Sequence, residues 1–304
     1  MAAWKSIRIT KPCKLSIESG NLVITDETHK FKLSLSDTDS IIFEGDKFTL
    51  TAPVLGALAK HKVATLFCDA YYIPLAILLP YRQTALGVEV LKAQISWSET
   101  FKASLWQVII ESKILNQTEV LGYFGYDSIY MERYIGFVAI NDKHNFEAKS
   151  ARHYWKELFP KLKREQESLD IRNQALNYAY AICRSMLARD LSAGGFTCAL
   201  GIWHDNQYNA YNLADDLIEP FRPIIDMAVK KMLEHSDEEH ISAELKRQLI
   251  GLFDEEYIMY NYALSSIRKV MKLYIVDFKR MMFTEDVIKM NFPTLALEQI
   301  DECF

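Results

Sequence analysis

The chain has no CxxC pair, no apolar run able to span a bilayer, no low-complexity tract and no internal repeat. Five cysteines, Cys13, Cys68, Cys183, Cys198 and Cys303, are odd in number and scattered. That excludes a thiolate zinc site or a dithiol redox pair and leaves core thiols in a reducing compartment. The most apolar stretch, "IPLAILLP" at 73–80, falls far short of the roughly 20 residues a membrane helix needs. The opening "MAAWKSIRIT" lacks the apolar run of a signal peptide, so a cytoplasmic protein with no membrane partner is expected. Positive charge is not in excess either: 35 Lys and Arg stand against 40 Asp and Glu, a net charge of −5. Coating nucleic acid by bulk charge is excluded, and any such binding must come from local patches.

What is present divides into two periods. From Ile7 to about Pro80 apolar residues alternate, as in Ile7 and Ile9, Leu15 and Ile17, Leu22 and Ile24, which is strand periodicity. "KLSIESGNLVIT" sets Ser19-Gly20-Asn21 between two such runs as a hairpin loop. "PVLGALAKH" at 53–61 reads as a short helix and "VATLFCD" as a buried strand. After Tyr81 the period lengthens to that of helices, in 104–121 and in 170–191, the latter stopped by Gly194-Gly195. The expected fold class is therefore α+β: an N-terminal β-rich, sandwich-like domain over 1–86 and a larger all-α domain over 87–304, divided within "RQTALGVEVLK".

His204 to Pro223, "HDNQYNAYNLADDLIEPFRP", holds one imidazole and four carboxylates in twenty residues with no lysine. Asn212 can cap a helix from Leu213 whose stripe Leu213, Leu217, Phe221, Ile224, Ala228 and Met232 faces a core, with Pro220 and Pro223 bending it. Asp216 and Glu219 then stand together on the other flank. Asp215 alone reads as a solvated carboxylate favoured by the helix dipole. The paired acids with His204 admit either a solvated flank or a hard divalent cation, magnesium or manganese. In "NFEAKSARHYWKELFPKLKRE" at 145–165, Glu147 opens a helix followed by Lys149, Arg152, Lys156, Lys161, Lys163 and Arg164. That is either a solvated basic face or an acid beside a surface for phosphates. A second basic cluster lies in 268–280, and His235 and His240 in "EHSDEEHIS" fit either an exposed acidic loop or a further metal site.

These segments together resemble a known family. "NQALNYAYAI" at 173–182, two glycines, "ALGIWHDNQYN" at 199–209 and "LADDLIEPFRP" at 213–223 are similar to the signature of the CRISPR-associated spacer-acquisition integrase. "FEAKSARHYW" at 146–155, "KILNQ" at 113–117, "KPCKLSIESGNLVI" and "VATLFCD" extend the match over nearly the whole chain in order. "AAWKSIRITKPCKLS" resembles the branch that accompanies a single large RNA-guided effector nuclease, type II. "FTCALGIWH" departs from the leucine, acid and proline that usually precede the family's histidine.

The resemblance implies a metal-dependent DNA endonuclease and integrase of CRISPR adaptation. It joins the 3′-hydroxyl ends of captured double-stranded DNA into the repeat array by transesterification. Glu147, His204 and Glu219 would be catalytic and bind Mg2+ or Mn2+, with Asp216 in support. Lys149 to Arg164 and Arg222 would hold the DNA backbone, although Arg222 is also placed to pair locally with Glu219. Tyr178, Tyr180, Tyr208 and Tyr211 either stack on unpaired bases or pack in the core. A homodimer built through the β domain, and a heterohexamer with a small companion adaptation protein, are implied as partners. The effector nuclease of the same locus is a further candidate partner. The competing readings are a metal-dependent nuclease of branched or repair-intermediate DNA, a non-catalytic helical scaffold and an acidic helical adaptor for basic proteins.

Overall fold

In the computed structural model, which describes residues 5–44, 47–68, 74–78, 87–165, 168–234, 238 and 240–303, the alternating segments become strands. They are β1 (Lys5–Ile9), β2 (Cys13–Glu18), β3 (Asn21–Thr25), β4 (Lys30–Leu33), β5 (Thr38–Glu44) and β6 (Phe48–Leu50), then helix α1 (Ala52–Lys60), β7 (Ala64–Cys68) and β8 (Pro74–Leu78). One sheet has the order β1-β5-β7-β8 and the other β4-β3-β2-β6. The hairpin lies where the sequence placed it: Glu18 pairs with Asn21, and Ser19 and Gly20 take φ of +49° and +77°. Two consecutive left-handed residues match the right-handed twist of the flanking strands.

Period-two alternation gives β5 two different faces. Ile41 and Phe43 join Leu15, Leu22, Val54 and Leu58 in a core between the two sheets and α1. Ile42, with Ala64 and Leu66 of β7, joins the large core of the helical part instead. Every residue of β5 is buried, because both faces are covered.

The helical part holds α2 (Gly87–Ser96), α3 (Glu99–Tyr123), α4 (Ile129–Glu132), α5 (Phe146–Leu158), α6 (Ile171–Gly194), α7 (Asn212–Leu217), α8 (Arg222–Glu234) and α9 (Ala243–Gly251). A small sheet follows, of β9 (Glu256–Tyr260), β10 (Ala263–Ser266) and β11 (Thr294–Leu295); α10 (Ile267–Met282) lies between the last two strands and α11 (Leu297–Cys303) ends the described chain. This sheet is an addition to the otherwise helical part that period alone did not suggest. Its two-residue β11 and four-residue β10 are too short to carry an alternating pattern. The expected division at 86/87 meets the segment 79–86, which lies outside the described residues.

Ser98 caps α3 by accepting from the Phe101 amide. α6 runs from Asp170, whose side chain accepts from the Arg172 amide, to Gly195, which closes it at φ +99°. No helix among the described residues is long and apolar enough to cross a membrane. No disulfide joins the five cysteines, of which Cys68, Cys183 and Cys198 are buried.

Candidate active site

Helix α3 is the spine of the site. Trp106, Ile109, Ile110, Lys113, Asn116 and Gln117 recur at helical spacing on its buried side. Lys113 is therefore a charged residue on a core-facing stripe. Its Nζ lies 2.8 Å from Glu147 Oε1 and 2.5 Å from Glu219 Oε2.

Glu147 is placed by the start of α5. Asp142, buried and itself in the left-handed region, accepts from the amides of Phe146 (2.8 Å) and Glu147 (2.9 Å). Those are two of the amides that a helix start leaves without partners. Glu219 is placed by the proline-bent segment. The expected bent helix is resolved into α7, a 3₁₀ turn at Glu219–Phe221, and α8. Pro220 and Pro223 cannot donate, so the hydrogen-bond ladder is interrupted there. Asn116 of α3 donates to the carbonyls of Pro220 (2.8 Å) and Pro293 (3.0 Å), fixing the turn from below. The apolar stripe from Leu213 to Ala228 is fully buried, as its spacing predicts.

Glu219 is 5% exposed, and its neighbours decide its charge. Burial would raise its pKa, but Arg222 and Lys113 outweigh that and hold it at about 2. Arg222 Nε donates to Oε1 at 2.8 Å, the local ion pair its i+3 spacing allows. Oε2 is buried and faces the Lys113 ammonium at 2.5 Å. Burial would lower the pKa of Lys113, yet Glu219 and Glu147 raise it.

His204 and Asp216 form the other half. Asp216, wholly buried, accepts from the amides of Ile202 (2.6 Å), Trp203 (3.1 Å) and His204 (3.1 Å), and from His204 Nδ1 at 2.6 Å. The carboxylate fixes the proton on Nδ1 and leaves Nε2 as the ring's free lone pair. That hydrogen bond, against burial and with help from Glu219 and Asp215, raises the imidazole's pKa. The backbone passes so closely that a Cβ at Gly201 would lie 2.2 Å from the His204 carbonyl oxygen and 2.8 Å from Asp216 Oδ2. Only glycine fits that position. Trp203, the departure before the histidine, stacks on buried Trp106 at 5.4 Å and 5°. Trp106 meets His204 edge-on.

Among the paired acids, only Asp216 turns to His204. Asp215 is not the solvated carboxylate of a helix start: it is buried, bound by Arg184 Nε (2.7 Å) and Asn209 (2.7 Å). Asn212 does not cap from outside the helix but forms its first residue and donates to the Ala199 and Asn206 carbonyls.

Lys149, Arg152, Lys156, Lys161 and Lys163 are exposed along and after α5. Arg164 is half-buried, bound to Asn173 and Asn177 and lying over the Trp155 and Tyr180 rings. Of the four tyrosines, Tyr178 and Tyr180 are bound internally, to Glu44 and Asp226, while Tyr208 is exposed. Glu238 accepts from Ser242, the cap of α9; His240 is exposed, and His235 lies outside the described residues. Lys113 was not offered by the sequence as a site residue. Its signal was a lysine inside the apolar stripe of α3, within "KILNQ".

Among the described residues no three His, Cys, Asp or Glu side chains form a ready metal-binding group. The pieces nevertheless suit a hard or borderline cation. Two carboxylates converge on one positive charge, Glu219 Oε2 is buried against it, and an oriented imidazole offers Nε2.

The family model described as CRISPR associated protein Cas1 matches residues 7–248. The chain belongs to that family. A CRISPR-associated endonuclease Cas1 of Neisseria meningitidis serogroup C is 36% identical over 244 residues, covering 80% of this chain and 79% of that protein. Among solved structures, a CAS1 protein from Thermotoga maritima superposes with a TM-score of 0.76 at 13% identity, covering 92% of this chain and 97% of that one. A casposase bound to integration product gives 0.75 at 20% identity, covering 93% and 91%. At these identities the structures attest a shared Cas1 fold.

Proposed function

We propose that this Cas1 family member is a metal-dependent DNA endonuclease and integrase of CRISPR adaptation. The observation that carries the reading is the convergence of Glu147 and Glu219, from two different elements, on one buried positive charge beside a histidine oriented by Asp216. A solvated helix flank, the scaffold reading, would not bury Glu219 and Asp216. The endonuclease name of the Neisseria relative and the integration product held by the casposase support the same chemistry.

Glu147, His204 and Glu219 would hold Mg2+ or Mn2+. Bound there, the cation supplies Lewis-acid polarisation of a phosphate and eases ionisation of an attacking hydroxyl or water. Asp216 keeps the His204 ring in one tautomer and one orientation. Arg222 holds Glu219 ionised and fixed. The exposed cations Lys149, Arg152, Lys156, Lys161 and Lys163 supply sequence-independent contacts to the backbone of double-stranded DNA. Exposed Tyr208 offers a ring to an unpaired base. In the joining reaction the 3′-oxygen of the captured duplex forms a bond to a repeat phosphorus as the repeat strand's own 3′-oxygen departs. One phosphodiester replaces another, so no external energy source is needed. Two duplex ends call for two sites, which two homodimers flanking the companion adaptation protein would provide. The type II branch and a cytoplasmic location complete the proposal.

The test is an integration assay with a short 3′-hydroxyl duplex, a supercoiled plasmid bearing the repeat array, Mn2+ or Mg2+ and the companion protein, run beside Glu219→Gln. Metal-dependent joining at repeat borders, lost at least about 100-fold in the variant, is expected; loss of that size matches removal of a group acting in the transition state. Cleavage without joining leaves the plain nuclease, and joining that survives the substitution refutes the site.

A further inference from the structure

The most unusual side chain near the site is Lys113. Its ammonium is buried in the wall of α3, 2.8 Å from Glu147 Oε1 and 2.5 Å from Glu219 Oε2. Glu147 and Glu219 come from α5 and from the proline turn, and Lys113 bridges the two carboxylates. Formal charges balance: two carboxylates face Lys113 and Arg222. A dication added to this set with Lys113 in place would sit beside an ammonium at ion-pair distance, in a poorly hydrated site where like charges repel strongly. Arg222 reaches Glu219 through the other oxygen and need not move. Lys113 alone occupies the point that both carboxylates share. Its four-carbon stem and compact charge allow withdrawal without disturbing the helix.

We propose that Lys113 is an intramolecular counter-cation, which keeps Glu147 and Glu219 assembled in the metal-free protein and competes with the divalent metal for them. The inference rests on the metal-site reading above. Its consequence is a raised metal threshold: the site assembles before loading, and loading exchanges one cation for another.

The experiment measures Mn2+ affinity of the full chain by calorimetry, and thermal unfolding in chelator and in saturating Mn2+, for wild type, Lys113→Met and Lys113→Gln. Glu219→Gln serves as a ligand control. Removing the competing charge is expected to tighten Mn2+ binding about tenfold or more. In chelator both Lys113 variants should unfold at lower temperature than wild type, because the carboxylates then lack their partner, and Mn2+ should restore them more than it raises wild type. A variant that is unfolded in chelator and native in Mn2+ supports the proposal in its strongest form. Equal or weaker Mn2+ binding in folded variants overturns it, as does unfolding of both variants whether or not Mn2+ is present. If wild type, both Lys113 variants and Glu219→Gln all fail to bind Mn2+, the metal reading itself falls and this inference with it. Binding by wild type that weakens in Glu219→Gln, with no gain in the Lys113 variants, removes the counter-cation role alone.

Discussion

Asp216 gathers four donors onto two oxygens, three of them successive amides of the segment that delivers His204. An amide side chain cannot replace it, because Asn has one acceptor oxygen and its NH2 group would face N–H groups already pointing inward. Asp216→Asn is therefore expected to lose about 1–3 kcal/mol of stability, the cost of leaving buried donors unpaired. It should also lose about 10–100-fold in metal-dependent cleavage, the usual effect of removing the partner that orients a ligating histidine. Denaturant unfolding and a nicking assay on plasmid measure the two, and unchanged cleavage would show that His204 needs no orienting partner. The sequence raised Asp216 as a neighbour of Glu219 on one flank. The structure gives it a different task, because the loop from Gly201 to Asn209 folds back over α7, a non-local contact that no helical spacing encodes.

At the scale of elements, Asp226 ties α8 to α5 and α6. It accepts from the hydroxyls of Tyr154 (3.1 Å) and Tyr180, and the Arg222 guanidinium lies 4.8 Å over the Tyr180 ring. The helix that carries Glu147 and the helix that follows the Glu219 turn are thus braced against each other behind the site. Burial pushes the Asp226 pKa up to about 7, against the two tyrosines, Arg164 and Arg222, which lower it. The folded form then keeps a proton that the unfolded chain releases near 3.8. This stabilising contribution is full below 3.8 and is lost as pH rises to about 7. Relative to Asp226→Asn, which keeps an acceptor without the charge, wild type should lose on the order of 2 kcal/mol between pH 5 and pH 8. Urea midpoints of both proteins at the two pH values check it, and parallel curves would contradict it. None of this bracing was legible in sequence: Tyr180 and Asp226 are ordinary residues at their own positions, 46 apart along the chain. The elements themselves were legible where capping and turn chemistry are local, as in the Ser19-Gly20 hairpin and the Gly195 stop. They were less so at Pro220, where the expected bend became a full 3₁₀ turn.

Over the whole molecule, the β-rich and helical parts are joined by charge as well as by apolar contact. Asp39 on β5, 2% exposed, pairs with Arg189 of α6 at 3.0 Å and accepts from Arg268 and Lys272 of α10 (2.8 Å for Lys272). Period separated the two parts in the sequence, but it could not show that β5 faces both cores or that a carboxylate in a strand would answer cations 150 to 233 residues away. The basic run at 268–280 is not a free cationic surface throughout, because Arg268 is spent on Asp39 and Asp254. Burial would raise the Asp39 pKa, but Arg189, Arg268 and Lys272 hold it at about 2. The folded value lies below the ordinary 3.8, so the stability it brings is present above pH 3.8 and is lost as pH falls towards 2. Asp39→Ala leaves three buried or half-buried cations without their shared partner, and breaking such a cluster costs about 3–5 kcal/mol. The variant should unfold at correspondingly lower denaturant at pH 7. The gap to wild type should narrow as pH falls through the range from 4 to 2, because protonation removes from wild type the charge that the substitution has already removed. A gap that stays constant with pH would mean that packing around β5, and not the ionised carboxylate, joins the two parts.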